Sequence, residues 1–286
     1  MVSEQQDTQY AARSTQHETG VSRIAAAFAA AKAAGRAAFI PYITVGHPDL
    51  DTADTVVPAL VAAGAEIIEL GVPFSDPLAD GVVIQRSTQT ALDNGVTLAH
   101  CFETVARLRA AGVTVPLILF GYTNPFFQRG EEAFAATCER LGVDGVIVPD
   151  LPLEEAGDLR AACDRHGVAL IPMLAPTSTP ERIAQAAAMA TGFVYCVGLV
   201  GITGERDALA VGLAPYLDRV REQVRLPLVV GFGISRPEHV AAVSEMADGV
   251  AVGTAVVRRL GELPPEERAA GAAAFVRWLR GEVGSQ

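Results

Sequence analysis

Two carboxylates eleven residues apart, Glu69 and Asp80, are the first side chains in this 286-residue sequence whose type and setting suit them to chemistry. Glu69 interrupts the apolar run Ile67-Ile68-Glu69-Leu70. Side chains alternate along a strand, so Glu66 and Ile68 face one way and Ile67 and Glu69 the other. A glutamate at the dry end of a strand has its neutral form favoured by desolvation, which suits it to exchange a proton near neutral pH. Asp80 follows in a loop stiffened by Pro73 and Pro77, which can return a second carboxylate towards the first. The competing reading leaves Glu69 in a structural hydrogen bond and Asp80 as the cap of the next helix.

A second group lies far along the chain, in Val230-Gly231-Phe232-Gly233-Ile234-Ser235 and Val252-Gly253-Thr254-Ala255. Glycine lets backbone N–H groups approach a phosphate closely, and a helix starting there adds a favourable dipole. The competing reading is a pair of tight turns. A third loop, Gly201-Ile202-Thr203-Gly204, could close over the same place. A phosphate at one side and an acid–base carboxylate at the other describe an enzyme acting on a small sugar phosphate.

Such a site needs a scaffold that brings strand ends together. Apolar runs at 37–44, 66–70, 115–120, 145–148, 168–173, 193–197, 226–230 and 249–252 read as strands. Helical patterns follow at 52–63, 98–111, 131–141, 153–166, 180–190, 212–223, 237–246 and 265–282, after an N-terminal helix at 21–34. Several have good start signals, such as Ser178-Thr179-Pro180-Glu181. Eight strands alternating with helices over about 250 residues predict an α/β fold, a (β/α)8 TIM barrel with an extra N-terminal helix. An open doubly wound sheet uses the same alternation, but no GxGxxG follows the first strand. Residues 1–20 are polar and aperiodic, an expected disordered extension, and 21–286 read as one barrel domain.

Composition narrows the partners. Half the residues are hydrophobic and the net charge is −11, which argues against nucleic acid or an anionic membrane as a ligand. Lys32 is the only lysine and sits in the N-terminal helix, so a Schiff-base aldolase lacks a nucleophile. The four cysteines, Cys101, Cys138, Cys163 and Cys196, and the five histidines are scattered without metal-ligand spacing, so no metal is expected. With no secretory or lipidation signal in the sequence, a cytoplasmic location is expected.

The run Glu69-Leu70-Gly71-Val72-Pro73-Phe74-Ser75-Asp76-Pro77-Leu78-Ala79-Asp80-Gly81 closely resembles the signature of the tryptophan synthase alpha chain family. Phe39-Ile40-Pro41-Tyr42-Ile43-Thr44, Gly121-Tyr122-Thr123-Asn124-Pro125, Val148-Pro149-Asp150-Leu151-Pro152 and Gly231-Phe232-Gly233-Ile234-Ser235 support it, and the likeness spans roughly 39–258. The resemblance implies a lyase of tryptophan biosynthesis that splits indole-3-glycerol phosphate into indole and glyceraldehyde 3-phosphate. It makes Glu69 the proton donor to indole C3, Asp80 the acceptor of the indole N–H, and Tyr195 a tyrosine close to the glutamate. Tyr42, Phe120, Tyr122 and Phe232 then line the indole pocket, Thr203 contacts the substrate from the closing loop, and Gly204, Gly233, Gly253 and Thr254 hold the phosphate. No cofactor is implied in this chain. Pyridoxal phosphate belongs to a β chain, with which an α2β2 heterotetramer is expected, and Asn124, Pro73, Pro77 and Pro152 would face that partner.

Two departures fall in the closing loops. Gly198 and Leu199 begin loop six, where the family often has serine first, and Val82 stands where proline frequently follows Asp80-Gly81. They leave open a stand-alone lyase releasing free indole. A non-catalytic regulatory barrel is the remaining alternative, disfavoured by retention of both carboxylates.

Overall fold

The structure is a computed structural model describing residues 18–198, 206–231 and 233–282. Helix α1 (Gly20–Ala33) opens it, capped by the Thr19 hydroxyl, which accepts the Ser22 N–H. Then come β1 (Ala38–Thr44), α2 (Thr52–Ala62), β2 (Ile68–Gly71), α3 (Val82–Asp93), α4 (Leu98–Ala110) and β3 (Leu117–Phe120). Next are α5 (Thr123–Phe127), α6 (Glu131–Leu141), β4 (Gly145–Ile147), a 3-10 turn (Leu153–Glu155), α7 (Gly157–Arg165), β5 (Ala169–Ile171) and β6 (Met173–Leu174). The last third holds α8 (Pro180–Met189), β7 (Val194–Val197), α9 (Arg206–Arg221), β8 (Leu228–Gly231) and α10 (Pro237–Ser244). It ends with β9 (Gly249–Val252), α11 (Thr254–Glu262), a second 3-10 turn (Pro265–Glu267) and α12 (Arg268–Leu279).

All strand pairs are parallel, in the order β5-β4-β3-β2-β1-β9-β8-β7-β6. The two ends of that order are consecutive in the chain and separated only by Pro172. The run 168–173, expected as one strand, is therefore split at a residue with no N–H to donate. The Pro172 carbonyl still accepts the Tyr195 N–H at 3.0 Å. The sheet thus turns through Pro172 from one pairing edge to the other, giving an eight-strand ring with one strand in two pieces.

Periodicity missed three helices. α3 is polar over much of its length, α11 begins directly after β9, and α5 is only five residues long. Helix α7 is shorter than the expected 153–166 because a 3-10 turn precedes it, and α9 begins at Arg206 rather than 212.

The side chains divide between two cores. Outward-facing residues of the strands pack under the helices, as Phe39, Leu70, Leu119, Val146 and Val230 do. Inward-facing ones, Ile40, Ile67, Ile118, Ile147, Ile171 and Val229, fill the barrel. Helix α1 closes its lower end: Ile24 and Phe28 belong to this inner core, and Phe28 meets Phe193 edge-on at 5.6 Å. Packed isoleucine fills the lower interior of the barrel, so among the described residues the space inside the ring lies towards its upper end.

Side-chain acceptors pin the lower ends of alternate strands. Glu66, Asp144, Thr191 and Asp248, just ahead of β2, β4, β7 and β9, accept the N–H of Phe39, Leu117, Leu170 and Leu228 at 2.6, 2.7, 2.9 and 2.9 Å. Asp144 is wholly buried and also pairs with Arg23 and Arg109. Each such acceptor fixes one strand's register against the next, and so the height at which its upper residues emerge.

Candidate active site

At the upper end a cavity of about 90 Å³ is lined by Tyr42, Glu69, Asp80, Gly81, Ile84, Phe120, Met173, Tyr195, Gly233, Ile234, Ala251, Gly253 and Thr254. The register that pairs Tyr42 with Glu69 on β1 and β2 places a phenol beside the carboxylate. Glu69 is 1 % exposed, and its Oε1 has no hydrogen-bond partner among the described residues. A buried carboxylate without a donor favours its neutral form, and burial pushes Glu69 up to about 8. Among the described residues, no structural hydrogen bond of the competing reading reaches Oε1.

Asp80 differs. It is half-buried, and burial raises its carboxyl above the usual range while a hydrogen bond from Tyr122 works in the opposite direction. The Tyr122 hydroxyl donates to Asp80 Oδ2 at 2.9 Å. Asp80 does not cap α3, because Gly81 occupies that position. The two carboxylates thus sit in unlike settings, the arrangement that separates an acid from a conjugate base at one pH.

The aromatic wall is continuous. Tyr42 and Phe120 meet edge-on at 5.8 Å, and Phe120 and Tyr195 at 6.2 Å. Both phenols are held neutral, mainly by burial and further by the negative charge of Asp80 and Glu69. Glycines make the room. A Cβ on Gly71 would lie 1.9 Å from Tyr42 Oη, and one on Gly231 1.9 Å from Tyr195 Oη. Buried hydroxyls of Thr44 and Ser87, 2.8 Å apart, back Tyr42, whose Oη lies 3.4 Å from Thr44 Oγ1.

Across the cavity, Gly253 immediately precedes α11 and Thr254 is its first residue, so the free N–H groups of that helix open here. Gly233 adopts φ +71, open to glycine at little cost. Such a helix start has the dipole and N–H groups that suit an anion, with no basic side chain on the cavity wall among the described residues.

Of the residues singled out from sequence, the fold brings together Tyr42, Glu69, Asp80, Phe120, Tyr195, Gly233, Gly253 and Thr254. Tyr122 is not on the cavity wall; it stands behind Asp80. Thr203, Gly204, Phe232 and Leu199 lie outside the described residues. Among the proposed partner-facing residues, Asn124 and Pro152 are exposed and Pro77 half-buried, but Pro73 is buried and cannot face a partner. Sequence reasoning missed Ile84, Met173, Ile234 and Ala251, and only the strand alternation around Met173 and Ala251 carried a signal for them. Among the described residues no group of three or more His, Cys, Asp or Glu side chains is placed to hold a metal, and no helix is long and apolar enough to cross a membrane.

Residues 28–279 match the family described as tryptophan synthase alpha chain. The chain is 54 % identical over 263 residues to the tryptophan synthase alpha chain of Chloroflexus aurantiacus, covering 92 % of this chain and 99 % of that one. Among solved structures it is similar to tryptophan synthase subunit alpha of Legionella pneumophila, with TM-score 0.82 and 35 % identity over 91 % of this chain and 97 % of the other. It is also similar to a chain of the tryptophan synthase complex of Pyrococcus furiosus, with TM-score 0.78 and 36 % identity over 85 % and 98 %. With its barrel, its paired carboxylates and these likenesses along nearly the whole of each relative, the chain belongs to the tryptophan synthase alpha chain family, a family of lyases.

Proposed function

We propose that this chain, folded from Val21 onward as one barrel domain, cleaves indole-3-glycerol phosphate to indole and glyceraldehyde 3-phosphate as the α subunit of tryptophan synthase. The observation that carries the reading is the buried Glu69, its Oε1 without a partner among the described residues, at an aromatic cavity whose far side is the start of α11. A flat apolar ring suits Tyr42, Phe120 and Tyr195, and a phosphate suits Gly233, Gly253 and Thr254.

Neutral Glu69 gives its proton to indole C3. The ring nitrogen takes up positive charge, and Asp80, ionised, accepts the N–H hydrogen bond and stabilises that charge. The C3–C3′ bond then breaks, its electrons restore the aromatic ring, and the C3′ hydroxyl loses its proton as the aldehyde forms. Glu69, left ionised by the first step, is a base in the same cavity able to take that proton. Tyr195, neutral and close to this pair, supplies a hydroxyl without adding charge. Every step uses acid–base groups of the chain, so no cofactor is invoked; pyridoxal phosphate belongs to the β chain.

The partner reading draws on the relatives' complexes and on the rim of the cavity. Leu78 is 93 % exposed and Val82 61 % exposed beside the mouth, apolar side chains suited to covering by another subunit. We place the assembly, an α2β2 heterotetramer, in the cytoplasm. The test is a steady-state indole-release assay with and without a β chain. Slow release alone and strong stimulation by the β chain are expected. Equal turnover in both conditions would point to a stand-alone lyase, and no indole in either would sink the reaction itself.

A further inference from the structure

Tyr122 is the one aromatic singled out from sequence and described here that the fold keeps off the cavity wall, yet its hydroxyl is engaged on both sides. It accepts the Ala79 N–H at 3.0 Å and lies 2.9 Å from Asp80 Oδ2. The Ala79 amide can only donate, so the single phenol proton is free for the carboxylate, and the carboxylate is the acceptor. The ring is 4 % exposed and stacks on Phe74 at 5.3 Å. Phe74, Ala79 and Asp80 all belong to the loop after β2, whereas Tyr122 follows β3. One side chain therefore ties a loop bearing a reactive carboxylate to the neighbouring strand end, at three points.

The rest of that loop is less well anchored. Its backbone hydrogen bonds at this point are short-range turns, Leu78 N–H to Asp76 O and Asp80 N–H to Pro77 O. Leu78 and Ala79 are exposed. A carboxylate two rotatable bonds from such a backbone loses its aim unless something outside the loop holds it.

We propose that Tyr122 is the positioning residue for Asp80, fixing the carboxylate at the cavity mouth through its hydroxyl while touching no reacting atom. This rests on the reading of Asp80 as the group that holds the indole N–H. The charged and titratable neighbours of the pair are Glu69, Tyr42 and Tyr195 across the cavity and Asp150 behind Tyr122. None of them makes a hydrogen bond to Asp80 among the described residues; Gln85 Nε2 donates to the Asp80 carbonyl at 2.9 Å and so steadies its backbone, while the phenol alone among them holds the carboxylate.

The test is a double-mutant cycle with Tyr122→Phe and Asp80→Asn, assayed for indole release in the complex with a β chain. Tyr122→Phe keeps the ring on Phe74 and removes only the hydroxyl. A fall in kcat of about tenfold or more is expected, the size of losing one charge-assisted hydrogen bond that orients a reacting group. The acid limb of the pH profile moves to higher pH, because the bond that favours ionised Asp80 is gone. Adding Tyr122→Phe to Asp80→Asn changes the rate less than twofold further, since the phenol acts only through the carboxylate. Carboxyl 13C titration of Asp80 follows the same shift without any turnover, and a thermal melt checks that each variant folds.

Additive rate losses with an unmoved acid limb and an unmoved Asp80 titration would overturn the positioning role and leave Tyr122 as a structural staple. A shifted titration, with Asp80→Asn and Tyr122→Phe both fully active, would uphold the link between the two and overturn Asp80's part in the reaction.

Discussion

At Glu69 the barrel sets a carboxylate among isoleucines and tyrosines, with one oxygen that no described group hydrogen-bonds. Its raised proton affinity follows from that burial, while Asp80, half-buried and hydrogen-bonded, keeps the better-solvated anion. If Glu69 must be protonated and Asp80 ionised, kcat/KM follows a bell: it declines as pH rises through about 8 and declines again on the acid side. A pH–rate series on indole release checks both limbs. Glu69→Gln should slow release by about 10²–10⁴-fold and abolish the alkaline limb. The same burial carries a stability consequence with a definite sign. Glu69 has its pKa raised in the folded state, so folding loses stability as pH rises from about 4.5 towards 8 and no further above that. Glu69→Gln escapes this loss. Its melting temperature relative to the unsubstituted chain should climb from pH 5 to pH 8, and a flat difference across that range would count against a neutral buried glutamate. The type of residue at 69 was legible in the sequence; its missing partner was not, because orphaning is a property of everything packed around it.

Strands and loops set where those groups stand. Gly71 and Gly231 lie under the hydroxyls of Tyr42 and Tyr195, and each is irreplaceable for a reason of space rather than of backbone angle. Gly231→Ala should push Tyr195 off its position and reduce indole release by at least about tenfold. The backbone leading into Gly231 is ordinary strand, so the loss of activity should exceed the loss of stability; a melt and an assay on one preparation decide it. At the opposite end, Asp144 holds Leu117, Arg23 and Arg109 without exposure to water. Asp144→Asn leaves two guanidinium groups without their counter-charge and should cost about 3–5 kcal/mol, measured by urea unfolding, with Arg109→Met milder. Element positions show what periodicity can carry. The strongly apolar strands were readable within about two residues, and α6 matches its expected bounds. Helix α3 was not readable: its polar outer face dilutes the pattern, and only packing of Ile84, Ser87, Thr88 and Ala91 against the barrel makes it a helix with a buried side.

For the whole molecule, a closed ring matters more than any single contact. The loop after β2 and the helix start after β9 lie as far apart in the chain as Asp80 and Thr254, and the strand order β2-β1-β9-β8-β7, curled into a ring, brings them and the end of β7 to one cavity. Assembly with a partner belongs to this scale too. Leu78 and Val82 expose apolar surface on the rim, so Leu78→Asp should weaken association with a β chain and lower its stimulation of indole release, leaving the slow basal rate of the isolated chain intact. Sedimentation or gel filtration of the mixed subunits measures the first effect. The sequence by itself determined the alternation of strands and helices, the two carboxylates and the glycine turns, because these are written in neighbouring residues and local periods. Tertiary structure decided that Glu69 is buried with one oxygen lacking a partner among the described residues, that Pro73 is buried, and that Tyr122 stands behind Asp80. Those outcomes depend on which distant side chains arrive at the same point, and no local pattern encodes that.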